Sequence, residues 1–110
     1  KYIELKNDMF DKILDSGLTN IEIIYFSSNL SLNKNNINKL FDLEMENANI
    51  NLLRNDNCPE ERLDEFIALK DKIYNIAIAH NRSLSKINIE KLLKLNDTDV
   101  NISLQFNNLL

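Results

Sequence analysis

The chain has 110 residues, 44% of them hydrophobic, and its 17 acidic and 13 basic residues leave a net charge of −4. Domains of this size bury roughly 60–70% of their unfolded surface, so the apolar content suffices for a core and excludes a disordered tail. One glycine and one proline disfavour the turn-rich all-β folds, and one cysteine excludes an internal disulfide and cannot by itself hold a zinc ion or iron–sulfur cluster, which takes about four protein ligands.

In chain order, Lys1 to Phe10 lack the continuous apolar segment of a signal peptide, and no apolar run approaches the roughly 18 residues of a membrane span. A cytoplasmic protein without membrane contact is expected. The first residue is Lys rather than Met, as in a processed or excerpted piece. Beyond the start, the chain repeats itself. Asn29, Asn55, Asn81 and Asn107 stand 26 residues apart, each followed three residues later by Leu32, Cys58, Leu84 and Leu110. Ile37, Leu63 and Ile89 form another column, as do Leu40, Phe66 and Leu92, then Phe41, Ile67 and Leu93, and Leu43, Leu69 and Leu95. Before each Asn stand Ile24, Ile50, Ile76 and Ile102, then Phe26, Leu52, Ile78 and Leu104.

Residues 1–28 match this register least. Leu14 falls in the column of Leu40, but Asp11 and Asp15 occupy places that are apolar later. A degenerate capping repeat is expected, because a terminal repeat covers one end of the stack with polar surface. Residues 29–54, 55–80 and 81–106 are three full repeats of one domain, and Leu109 and Leu110 fall where a further repeat would begin. That end is expected to meet a continuation of the chain, a partner, or another copy in end-to-end self-association.

Within a repeat, Leu63, Phe66 and Ile67 share one helical stripe and predict a longer helix. Pro59 suits its first turn, Glu60 and Glu61 favour the positive end of its dipole, and Asn33 and Ser85 stand at capping positions. A polar break follows at Asp71 and Lys72, or at 96–99, and then a shorter apolar segment, Tyr74 to His80 or Val100 to Phe106. Its type stays open. Ile76 and Ile78 alternate as a strand would, whereas Ala77 and Ala79 favour helix.

The stretches from Tyr74 to Asn81 and from Asn55 to Leu63 resemble the variant leucine-rich repeat, a HEAT-like helical unit, and 97–100 (Asp-Thr-Asp-Val) is similar to the link between its two helices. The resemblance covers about residues 22–110. The chain departs from the family in a repeat about two residues longer, in Asn75 and Asn101 where the family has arginine, and in the absence of its second proline; nothing matches the cysteine-rich cluster segment of the founding members. The resemblance implies an all-α, right-handed α-solenoid of about four helix pairs, with a binding face on the shorter helices carrying Asn51, Arg54, Asn75, His80, Asn101 and Gln105. The alternative is an α/β fold of ordinary 26-residue leucine-rich repeats, whose strand would span Ile73, Ile76 and Ile78. That fold would put Asn47 and Asp99 at a core position, and buried unpaired polar groups cost about 1–3 kcal/mol.

Chemistry-bearing residues are sparse. The Asn29, Asn55, Asn81 and Asn107 column reads as structural, closing a turn by tolerating left-handed backbone or by bonding neighbouring main chain. Cys58 sits in a leucine column, which predicts a buried, inert thiol. His80 has Ser28, Arg54 and Phe106 as its equivalents and no visible nucleophile or orienting carboxylate. Glu60, Glu61, Asp64 and Glu65 make one helix start acidic, while Lys86, Lys91 and Lys94 make the next helix basic. The four Asn-x-Ser/Thr triplets are chance matches in an asparagine-rich chain. No phosphate loop, metal-ligand spacing or nucleophile motif is present. The expected function is a non-catalytic protein–protein interaction or scaffold module with no cofactor. A nucleic-acid-binding module ranks second, since an acidic chain disfavours a phosphate backbone, and an enzyme with a scattered site ranks third.

Overall fold

The computed structural model describes residues 12–107. Residues 12–15 are helical, and seven α-helices follow: α1 (Asn20–Ser27), α2 (Lys34–Phe41), α3 (Glu46–Leu53), α4 (Glu60–Ala68), α5 (Lys72–Ala79), α6 (Lys86–Leu93) and α7 (Thr98–Phe106). No strand occurs among the described residues, so the α/β alternative is not supported. The period is written into the helix starts: Asn20, Glu46, Lys72 and Thr98 are 26 residues apart, and so are Lys34, Glu60 and Lys86. The expected contrast between a longer and a shorter helix is corrected, since these seven helices have eight or nine residues each.

Local chemistry explains why the second apolar segment of each unit is helical. The Asp71 carboxylate accepts the Tyr74 N–H at 3.1 Å and starts α5, and Ala77 and Ala79 lose no side-chain entropy in a helix. Asp97 starts α7 in the same way, accepting from the Asp99 and Val100 N–H groups at 2.9 and 3.2 Å. Thr19 and Glu22 form a reciprocal capping box at α1. Asn33 and Ser85 cap α2 and α6, accepting from the N–H groups of Asn36 and Asn88 at 2.8 and 3.1 Å. Each such cap contributes about 1 kcal/mol. Pro59, at the equivalent place, makes no side-chain bond and supplies instead a φ of −59° that leads into α4.

Each unit turns from its first helix to its second through a left-handed residue: Glu44 (φ 55°), Lys70 (φ 56°) and Asn96 (φ 53°). Their N–H groups donate to the carbonyls of Phe41, Ile67 and Leu93 at 3.0, 3.1 and 3.1 Å. Gly17 (φ 83°) makes the same bond to Leu14, at 3.3 Å, in the first unit. Gly17 lies 27 residues before Glu44 rather than 26, because two residues, Leu18 and Thr19, separate it from the next helix where one does so later. Leu14 therefore aligns with Phe41, not Leu40; Ile13 takes the Leu40 place, and Asp15 aligns with the exposed Asp42. Ile13 and Leu14 both pack against the core. What reads as degeneracy at Asp15 is thus a one-residue offset; Asp11 lies outside the described residues.

Helices α1, α3, α5 and α7 stack in series, more tightly than α2, α4 and α6 do, in a body of 43 × 23 × 21 Å. Between the two series lies the core, built from the apolar columns: Leu32, Ile37, Leu40, Leu52, Ile78, Leu92 and Leu104 are fully buried. The looser series is joined by polar bridges. Arg62 on α4 donates to Asn38 at 2.8 Å, pairs with Asp42 at 2.9 Å, and lies over the Phe41 ring at 5.2 Å. Asn88 on α6 donates to Glu60 at 3.1 Å, and Lys91 meets Asp64 at 3.6 Å. The acidic start of α4 and the basic α6 thus face each other inside the array.

The asparagine column holds one unit to the next. The Asn55 amide donates to the Asn29 carbonyl at 3.2 Å; that of Asn81 donates to the Leu53 and Asn55 carbonyls at 2.8 and 2.9 Å. Asn107 donates to Ala79 and Asn81 at 3.1 and 3.0 Å. The side-chain oxygens of Asn29, Asn55 and Asn81 accept from the N–H two residues on, at 2.9, 2.8 and 2.8 Å. The structural role expected for this column is present as hydrogen bonding to neighbouring main chain. The left-handed backbone belongs to Glu44, Lys70 and Asn96 instead.

Cys58 is 6% exposed, between Leu32 and Leu84 in its column. Burial pushes its thiol from the ordinary 9.0 up to about 12, with Glu60 and Glu61 also raising it and Arg62 opposing. The native protein is therefore expected to resist iodoacetamide at about pH 8 and to react once unfolded; rapid native alkylation counts against the burial. The folded state holds this proton more tightly than the unfolded chain, so the associated stability is fully present below pH 9 and is lost as pH rises toward about 12.

Candidate functional site

In the tighter series the residue before each ladder asparagine closes the helix. Ser28, Arg54 and His80 are the C-caps of α1, α3 and α5, and Phe106 is the last residue of α7. One residue beyond the asparagine, in the turn, come Leu30, Asp56 and Arg82. Because the asparagine side chain points into the neighbouring unit, the residues before and after it emerge on the same side. Together they line a groove of about 780 Å³ that runs from Ser28 to Phe106, with Asn51, Asn55, Asn57 and Asn107 also in its lining.

The groove gathers positive charge in an acidic chain. Arg54 and Arg82 are two of the three arginines in the sequence, and neither has an ion-pair partner among the described residues, whereas Arg62 is committed to Asp42. Helix carboxyl ends carry partial negative charge, which favours cations there. Asp56, the one acidic residue in the lining, accepts the backbone N–H of Arg82 at 3.3 Å. Burial, and then the charge of Arg54, lower the pKa of His80 below the ordinary 6.5 and so favour the neutral imidazole.

Three of the six sequence-derived binding candidates, Asn51, Arg54 and His80, line this groove. Asn75 needs correcting: it is 4% exposed, covered where α7 packs on α5, and is not presented to a ligand. Its side-chain oxygen has no hydrogen-bond partner, nor have those of Asn49 and Asn101 in the same column. Asn101 is half-buried, and Gln105 is exposed on α7 outside the lining. Ile102, Gln105 and Phe106 are exposed, while their equivalents Ile76, Ala79 and His80 are wholly or partly covered, because α7 lies over α5 and no described residue lies over α7 in the same way. Leu109 and Leu110 lie outside the described residues.

Sequence reasoning missed Ser28, Leu30, Asp56, Asn57, Arg82 and Phe106. The signal was in the columns flanking each ladder asparagine, of which only the one containing His80 was read. The basic residues of the tighter helices also look different in place. Lys72 is held by Asp99 at 2.8 Å and Asp97 at 3.7 Å, and the hydrogen bond to Asp99, followed by the charges of Asp97 and Asp99, raises its pKa. Arg82, in the turn, stands in the groove instead.

No protein-family model, curated protein or solved structure matches this chain. The groove's own chemistry therefore carries the functional reading. His80 and Asp56 share its lining with no hydrogen bond between them among the described residues, and Cys58 lies in the core outside it. Among the described residues, no three His, Cys, Asp or Glu side chains are grouped to hold a metal ion, and no helix is long and apolar enough to cross a membrane.

Proposed function

We propose that this chain is a non-catalytic protein-interaction module: a right-handed α-solenoid of four helix pairs, similar to variant leucine-rich repeats, whose groove receives an extended segment of another protein. The observation that carries the reading is the groove itself, where Arg54, His80 and Arg82 come from consecutive units onto one lining. Support for the solenoid comes from the common period of helix starts, left-handed turn residues and ladder asparagines, together with each unit packing on its neighbours. Such stacking builds one long surface whose side chains vary independently from unit to unit. An unpaired Cys58 suits a cytoplasmic setting.

The test uses the chain as bait in its native host. Partners captured by the wild type are expected to be retained by a Lys86→Glu/Lys94→Glu variant on α6 and lost, by roughly ten-fold or more, with Arg54→Glu/Arg82→Glu. Equal retention by both variants would remove the groove from consideration. Tight binding of DNA with a steep salt dependence would favour the nucleic-acid reading instead.

A further inference from the structure

Resting on that reading and extending it to the ligand, we propose that the groove takes an extended acidic peptide segment with carboxylate side chains three residues apart and an apolar side chain toward each end. The charge argument is local. Arg54 and Arg82 are exposed and unpaired among the described residues, and they outnumber Asp56 in the lining. A chain of net charge −4 repels a long polyanion, whereas a short segment with two or three carboxylates meets mainly the groove's own cations.

Geometry sets the spacing. Packed helices lie about 8–10 Å apart, and an extended chain advances about 3.3–3.6 Å per residue, so three peptide residues span one unit. Arg54 stands beside the ladder asparagine Asn55 and Arg82 beside the next one, Asn81, so carboxylates about three residues apart match the pair. The groove also offers acceptors. Asn51 directs its Nδ2 to the Ser27 hydroxyl and the Ile24 carbonyl at 3.0 and 3.3 Å, and Asn57 directs its own to the Leu32 carbonyl at 3.0 Å. The amide oxygens of both are left for peptide N–H groups. Leu30 and Phe106, 58% and 80% exposed, come from the first and last units in the lining and suit apolar side chains. The span between them corresponds to a peptide of about nine residues.

His80 adds a pH dependence. The charged groups around it in the groove are Arg54 from the α3 end and Asp56 and Arg82 from the turns, while Phe106 and Asn107 at the end of α7 bring none. A peptide carboxylate beside the imidazole favours its charged form, so binding takes up a proton and tightens as the medium goes from about pH 8 to about pH 6.

A random-peptide display selection on the full chain, run in parallel on Arg54→Glu/Arg82→Glu and Arg54→Gln/Arg82→Gln, tests this, with circular dichroism confirming that both variants fold. Expected is enrichment of Asp/Glu-x-x-Asp/Glu sequences on the wild type and their loss on both variants. A synthetic peptide from that set should bind more tightly at pH 6 than at pH 8 and weaken roughly ten-fold or more with either variant. Groove-dependent enrichment of non-acidic peptides would overturn the acidic ligand while leaving the groove reading in place. No enrichment, or enrichment indifferent to Arg54 and Arg82, would overturn both. A single-stranded oligonucleotide that displaces the peptide at a lower concentration than the peptide itself would overturn the proposal in favour of nucleic acid.

Discussion

Replacing Asn81 by Ala is expected to destabilise the protein by about 3 kcal/mol, roughly 12–24 °C in melting temperature for a chain of this size. Asn81 has no exposed surface. Its amide donates to two carbonyls of the preceding unit, at 2.8 and 2.9 Å, and its oxygen accepts the Ser83 N–H at 2.8 Å. Two acceptors on one side and a donor on the other also fix which way round the amide sits. Each bond contributes about 1 kcal/mol net, which for the three gives about 3 kcal/mol. Asn81→Leu keeps the branched outline in a bulkier side chain and loses the same bonds, so it should fall at least as far. Asn81→Asp keeps the bond to Ser83 but turns a carboxylate oxygen toward two carbonyls, and should fall at least as far. Asn55→Ala, which removes one inter-unit bond at 3.2 Å and one turn bond, is expected to cost about 2 kcal/mol. Urea denaturation of the four variants supplies the comparison; losses below about 1 kcal/mol throughout would mean that the ladder does not hold the units together.

How much of this was legible in the sequence depended on whether a position carried one residue type in every unit. The asparagines at 29, 55, 81 and 107 did, and the core columns stayed apolar throughout, so the 26-residue period of the helices and the burial of Cys58 followed from spacing alone. The left-handed turn was hidden because Glu44, Lys70 and Asn96 share no side-chain chemistry and two of them are poor residues for that backbone. The offset in the first unit was hidden for a related reason. A single extra residue at Leu18 or Thr19 moves every earlier column by one, and only the bond from Gly17 to Leu14 reveals where it lies. The candidate site was half legible. Arg54 and His80 could be found on the helices, but Arg82 lies in a turn, and nothing in a helical periodicity says which turn residues point back into a groove. Asn75 misled because a polar residue on a helix normally faces water; here it is enclosed by the next helix of the stack. The paired charges of Asp64 and Lys91 read as separate patches because the residues that meet belong to different units.

Duplicating residues 55–80 immediately after His80 is expected to give a folded protein with one more unit, the same helical ellipticity per residue, and a stability higher by roughly 1–4 kcal/mol, from about 0.05–0.15 kcal/mol per added residue. The inserted unit is in register at every column. Its Asn55 stands where Asn81 stood relative to the Leu53 and Asn55 carbonyls, its Arg62 faces Asp64 of the preceding unit where it otherwise faces Asn38, and its Glu60 still receives Asn88. In a stack held by nearest neighbours, an interior unit adds its own stability and one further interface; in a globular fold with a single shared core, the same insertion has nowhere to go and should destabilise. Thermal and urea unfolding of the two chains decide between these outcomes. The position of any additional residue should matter as well. The first unit accommodates one between its left-handed Gly17 and α1, so an extra residue between Lys70 and Asp71 of the duplicated unit should leave the gain largely intact. An extra residue between Asn81 and Leu84 should abolish it, because it separates the Asn81 oxygen from the Ser83 N–H and displaces Leu84 from the core.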